Sequence, residues 1–276
     1  MSISDRDSEP RGNELMTLRS RKNHPTAFAP RFLSACERIH FKIENVSLAI
    51  WLVDLRLCSA SIASFLEPLS TDELSRAERF SALRDRSRYL ISRGALRMVL
   101  SDHTNVDPKH LKFVIGRHGK PSLDRTSSIP DVRFNLSHSA NMAVIAVAPG
   151  HEVGVDIEYI KAWRVSSDVE NCFSRGEIAA LQSLPKVDQE LAFFTCWTRK
   201  EAYLKGRGEG LSLPLCDFDV SLAPGEAAAL LGSRINPGDC DRWRLIEVPI
   251  GDGYVANAAV QLPIPTGVRF RTLVPA

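Results

Sequence analysis

Apolar and polar positions alternate in short runs over much of the chain and stretch to a helical rhythm in three places. "VSLAIWLVDLRL" at residues 46–57 is β-branched and apolar, which predicts an opening strand. "LSTDELSRAERF" offers Ser70 or Thr71 as a helix N-cap with acidic residues in the first turn. The helical pattern runs on through "RDRSRYLISRGALRMVLSDH" to about His103, where "NVDP" ends it. "LKFVIGRHGKPSL" reads as a strand and a Gly/Pro turn. "VRFNLSHSA", "NMAVIAVAP" and "EVGVDIEYI" then follow, each β-rich and separated by turn residues, which predicts antiparallel strands. "SRGEIAALQSL" and "DQELAFFTCWTRKEAYLKG" read as helices, and "LSLPLCDFDVSL", "DRWRLIEVPI" and "GYVANAAVQL" as closing strands.

This order of strand, long helix and strands repeats itself roughly, without residue-level self-similarity that the eye picks out. It predicts an α+β class with two similar halves, one at 45–152 and one at 153–276, behind a flexible polar tail at 1–44. No G-x-G-x-x-G follows a strand, and there is no P-loop.

Composition narrows the class. With 276 residues, 44% hydrophobic and 25% charged, the chain reads as an ordinary globular protein. No apolar run reaches a membrane span, and the N-terminus lacks the apolar core of a secretory signal. A net charge of +2 implies no large nucleic-acid footprint. Six scattered cysteines without a C-x-x-C pair read as reduced thiols in a cytoplasmic protein and make a zinc site improbable.

Five constellations hold candidate chemistry. In "GVDIE", residues two apart on a strand share a face, so Asp156 and Glu158 aim together while Val155 and Ile157 pack behind. The pair reads either as a solvated face or as oxygen ligands for Mg²⁺. In "WTRKEAYLKGRGEGL", Trp197, Glu201 and Lys205 share one side of a helix. Glu201 and Lys205 form either a plain i,i+4 pair or a further metal ligand and a cation for phosphate, with Gly206, Gly208 and Gly210 permitting a sharp turn afterwards. "FNLSHS" places Ser137 and His138 at a turn, as a cap or as phosphate donors; neighbours on a strand face opposite ways, so they are no nucleophile–base pair. Lys120 of "GRHGKP" is held on a tight turn. Arg79, Arg86 and Arg93 lie seven apart along the first helical region, mostly as a solvated face.

Taken in order, "GRHGKP", "FNLSHS", "GVDIE" and "WTRKEAYLKGRGEGLSLPL" resemble the Sfp-type 4'-phosphopantetheinyl transferases over roughly residues 46–262. The resemblance implies a fold of two pseudo-symmetric halves, each an antiparallel sheet packed with a long helix. It implies transfer of the phosphopantetheine arm of coenzyme A to a serine hydroxyl of an apo acyl or peptidyl carrier protein, with Mg²⁺, releasing 3',5'-ADP. The carrier would be an acidic helical domain with its serine at a helix N-terminus, and the enzyme a monomer. By motif, Asp156, Glu158 and Glu201 would hold the metal, Lys205 the pyrophosphate, and Asn135, Ser137 and His138 other coenzyme A phosphates. Lys120 would meet the nucleotide end, Arg76 the 3'-phosphate, and Arg93 the same region. The base for the serine proton stays open, with Glu201 or a water it orients as candidate. Other Mg²⁺-dependent nucleotide enzymes, or a non-catalytic binder that kept the fold, are the rival readings.

Overall fold

The computed structural model describes residues 16–19, 36–56, 59–124, 129–160, 172–210 and 213–263. Four layers are stacked in the order helix, sheet, sheet, helix. The first sheet has five antiparallel strands in the order β1(Met16–Arg19), β2(Cys36–Ile43), β3(Val46–Asp54), β7(Met142–Pro149), β6(Val132–Ser139). The second has three, in the order β11(Trp243–Glu247), β12(Tyr254–Gln261), β8(Val153–Tyr159). Two hairpins complete the strands, β4(Phe113–Ile115) with β5(Pro121–Leu123) and β9(Phe218–Val220) with β10(Leu230–Ser233).

Alternation along each strand makes the layers. Ile39, Phe41, Leu48, Ile50, Val144 and Ala146 of the first sheet meet Val153, Val155, Ile157, Ala256 and Ala258 of the second in one apolar seam. The opposite face of the first sheet, with Val53, Ile145 and Phe134, packs on α3(Leu83–Thr104). The opposite face of the second packs on α5(Lys186–Arg207) through Tyr203, Leu204, Trp243 and Ala259. α1(Ser59–Leu66), α2(Thr71–Ala77), α4(Arg175–Ser183) and α6(Asp239–Arg242) are short helices around this frame.

Each long helix has 22 residues and ends in a left-handed cap, at Asn105 (φ 56°) and Gly208 (φ 71°). Each is preceded by a short helix with a capping box, Ser70 with Glu73 and Ser174 with Glu177. Both capping glutamates turn inward onto the long helix. Glu73 meets Arg93 (2.7 Å) and Arg97 (2.6 Å), and Glu177 meets Lys200 (2.8 Å). The two halves therefore repeat a residue-level device, S-x-x-E then a buried cation, which the sequence reading did not pick out.

Three expectations need correction. The tail does not extend to residue 44: Met16–Arg19 and Cys36–Ile43 are strands, and Ile39 and Phe41 are core residues, because alternating apolar positions in "CERIHFKI" bury one face. The remainder of the expected tail lies outside the described residues. The first long helix is not continuous from Ser70: α2 and α3 are separate, and Phe80 in the turn between them stacks on Tyr89 (5.3 Å). In "LSLPLCDFDVSL", among the described residues, only Phe218–Val220 is a strand, preceded by a 3₁₀ turn at Leu215–Asp217, since Pro214 favours a turn entry.

Candidate active site

The site forms where β8 crosses α5, and two glycines set the distance between them. A Cβ on Gly154 would lie 2.0 Å from the Ala202 carbonyl oxygen and 2.2 Å from the Gly206 nitrogen. A Cβ on Gly206 would lie 2.6 Å from the Trp243 ring. Strand and helix backbones therefore touch, which only glycine allows. Gly206 is thus a packing residue inside α5 rather than part of the expected turn; the turn belongs to Gly208 and Gly210, both at positive φ.

Two residues beyond Gly154 on the same face, Asp156 is 3% exposed. Its Oδ1 accepts from the Lys205 ammonium (2.5 Å) and from the Ser137 hydroxyl (2.8 Å). Its Oδ2 is buried without a hydrogen-bond partner. Burial holds the Asp156 carboxyl above the usual range, against the pull of Lys205 and Ser137. Glu158, two residues on, accepts from the Ser139 hydroxyl (2.8 Å). Glu201 reaches in from α5, and its carboxyl is also pushed up. Burial is the main cause; Lys205 opposes it, and the charges of Asp156 and Glu158 add to it. The three carboxylates therefore share one electrostatic neighbourhood.

β6 supplies the other wall. Asn135, Ser137 and Ser139 lie on one face of this edge strand and reach the edge of β8. Asn135 Oδ1 accepts from the Val155 N–H (2.9 Å), and Ser139 Oγ from the Tyr159 N–H (3.0 Å). Side-chain oxygens thus bond backbone groups across the join between the two sheets. Ser139 is the member the sequence reading overlooked; its signal was the i, i+2, i+4 spacing of "NLSHS". His138 alternates to the other face and is exposed.

The remaining predicted residues are dispersed. Lys120 is held by Glu152 (2.8 Å), the Gly206 carbonyl (2.8 Å) and the Val153 carbonyl (3.2 Å), which ties the β4–β5 turn to the end of α5. Arg93 is committed to Glu73 and lies over the Phe113 ring, 5.0 Å from its centre. Arg76 is exposed on α2, 5.8 Å from the Tyr89 ring. The structure thus brings Asp156, Glu158, Glu201, Lys205 and Ser137 together, and places Arg93 and Arg76 on the α2–α3 pair.

Among the described residues no three His, Cys, Asp or Glu side chains are drawn into a closed metal cluster. Lys205 supplies positive charge at Asp156 instead. The donor set still fits a hard divalent cation, because it is all oxygen, the charges of Asp156 and Glu158 push the Glu201 carboxyl up, and one buried oxygen of Asp156 is unpartnered.

Residues 152–259 match the model of the 4'-phosphopantetheinyl transferase superfamily, and residues 58–150 that of the 4'-phosphopantetheinyl transferase N-terminal region. The 4'-phosphopantetheinyl transferase HetI of a Nostoc species is 36% identical over 215 residues, 76% of this chain and 86% of the relative. The chain belongs to the 4'-phosphopantetheinyl transferase family. The 4'-phosphopantetheinyl transferase Sfp of Bacillus subtilis is 32% identical over 159 residues, 57% of this chain and 68% of that protein. Within this family coenzyme A is the phosphopantetheine donor, and the four-layer α+β architecture fits the family. No described helix of this transferase is long and apolar enough to cross a membrane.

Proposed function

We propose that this transferase moves the 4'-phosphopantetheine arm of coenzyme A to a serine hydroxyl of apo acyl or peptidyl carrier proteins, in a Mg²⁺-dependent reaction that releases 3',5'-ADP. One observation carries the reading: Asp156 keeps one buried oxygen unpartnered while its other oxygen accepts from the Lys205 ammonium and the Ser137 hydroxyl, and the charges of Asp156 and Glu158 are close enough to push up the Glu201 carboxyl. Asp156, Glu158 and Glu201 would hold Mg²⁺, which when bound offsets charge on the diphosphate.

The chain's own residues do the rest. The carrier serine oxygen attacks the β-phosphorus, the bond from that phosphorus to the bridging oxygen breaks, and 3',5'-ADP leaves with the electron pair. Glu201, beside the reacting centre, takes the serine proton. Lys205 turns from Asp156 toward the diphosphate, where a fixed cation favours the developing charge. Ser137 and exposed His138 contact further phosphate oxygens, with the β6 backbone from Asn135 alongside. Arg76, exposed and without an ion pair among the described residues, receives the 3'-phosphate. Lys120 and Arg93 hold the β4–β5 turn and α2 in place around the nucleotide end.

The test is the mass of an apo carrier protein after incubation with enzyme, coenzyme A and Mg²⁺. A gain of one phosphopantetheine unit is expected with the native enzyme, and none with Asp156→Ala of unchanged circular dichroism. Full transfer by that variant would refute the assignment of the acidic site.

A further inference from the structure

The carrier serine must reach the phosphorus itself, so the carrier has to dock on the rim of the carboxylate site. That rim is traceable through contacts. Glu158 is bonded to Ser139, and Ser139 to the Tyr159 N–H. The Tyr159 ring meets Tyr254 edge-on at 5.0 Å. The Tyr254 hydroxyl accepts from the Asn141 N–H (3.2 Å), and the Asn141 side chain accepts from Arg88 of α3 (2.7 Å). Arg88, in the second turn of α3, therefore ends a chain of contacts that starts at Glu158, and the first turn of α3 continues from it along the rim.

This turn exposes what a folded chain ordinarily covers. Leu83 is 79% exposed, Phe80 39% and Tyr159 44%. Arg84 precedes Arg88 by one helical turn, so it lies on the same side of α3, and its side chain is 76% exposed. From Leu83 to Arg88 the helix rises only about 7.5 Å. Arg79 and Arg84 are exposed and Arg86 is half-buried, against exposed Glu78 and Asp85, the latter within 4.0 Å of Arg84; cations outnumber acids around the apolar centre by three to two. An apolar patch with a cationic margin fits a partner face of the opposite margin.

We propose that the α2–α3 turn and the first turn of α3, with Leu83 and Phe80 at the centre and Arg79, Arg84 and Arg86 at the margin, are the docking surface for an acidic, apolar-centred face of the carrier protein. The inference rests on the transferase reading above. None of these residues contacts the reacting atoms; they set the affinity for the protein substrate, beside Arg76, the residue proposed to receive the 3'-phosphate of coenzyme A.

Steady-state transfer to an apo carrier domain tests this with Leu83→Glu and Arg84→Glu, each checked for an unchanged melting temperature. The KM for the carrier is expected to rise about tenfold in each variant, with the KM for coenzyme A unchanged within twofold. The salt dependence of kcat/KM should flatten in Arg84→Glu. A carrier with one margin acid changed to Lys should recover part of the loss with Arg84→Glu. An unchanged carrier KM in both variants overturns the docking surface, as does a native dimer in sedimentation that Leu83→Glu converts to monomer without affecting that KM. No transfer by the native enzyme to any acyl or peptidyl carrier overturns the transferase reading itself, and that result is separate from a variant that transfers normally.

Discussion

Gly154 and Gly206 govern the site without touching a substrate. Each marks a place where backbone meets backbone or ring at less than the width of a methyl group. Gly154→Ala must push β8 from α5 and so separate Asp156 from Lys205. The expected result is a loss of about 1–3 kcal/mol in stability, read by urea unfolding, with a fall in kcat well beyond what the lost folded fraction explains. At the same scale, the sequence pattern placed Asp156 and Glu158 on one face and separated Ser137 from His138. It could not show that Ser137 and Lys205 meet on Asp156, because that contact joins positions 49 and 68 residues away from Lys205. Lys200 illustrates the same limit. Its place beside Glu201 suggested a charged surface turn, yet it is 0% exposed and bonds Glu177 and the carbonyls of Leu215 and Phe218.

Between helices, the capping glutamates act as bolts. Glu73 closes the capping box of α2 and also binds Arg93 and Arg97, so it fixes the helix bearing Arg76 to α3. Burial pushes its carboxyl up, but the Ser70 N–H and the two guanidinium groups outweigh that and hold it below the usual glutamate range. A depressed carboxyl contributes stability above its unfolded pKa and loses it as pH falls through the folded value. Glu73→Ala is expected to cost roughly 3 kcal/mol near neutral pH by leaving buried Arg97 and half-buried Arg93 without their carboxylate. The gap in melting temperature from the native protein should narrow as pH drops below about 4.3. A gap that stayed constant to pH 3 would contradict the ion-pair account. Glu177→Ala should be comparably destabilising, since it uncouples Lys200 at the matching place in the second half. The sequence reading found a cap at Ser70 or Thr71 in the first half and only a helix at the matching place in the second. The second role of the glutamates was legible in neither half, because a capping box says nothing about which helix the glutamate's remaining oxygen will meet.

For the molecule as a whole, most strands from β3 onward were legible in chain order because apolar, β-branched runs are set off by turn residues. β10 and the order of strands within the sheets were not, since β3, β7 and β8 are buried on both faces and carry no alternation. The first edge was misjudged: "CERIHFKI" interleaves charged residues with the apolar ones, and its partner strand β3 is what selects the buried face. A chain beginning at residue 45 therefore lacks two strands of the main sheet, β1 and β2. Ile39, Phe41 and Ile43 each contribute about 2 kcal/mol by burial, a sum comparable with the roughly 5–15 kcal/mol total stability of a domain. That truncation is expected to give aggregated or unfolded protein, measured by soluble yield and thermal melting, whereas a chain beginning at residue 16 retains both edge strands.

The join between the two sheets has a further consequence. Asn135, Ser137 and Ser139 fasten β6 to β8 with three short polar side chains, where neighbouring strands elsewhere are locked by a regular backbone lattice. A fastening made of side chains is open to single-codon adjustment in a way that a peptide lattice is not. The same substitutions that loosen or tighten the join between the sheets also reshape the wall beside Asp156, so the seam and the proposed site change together.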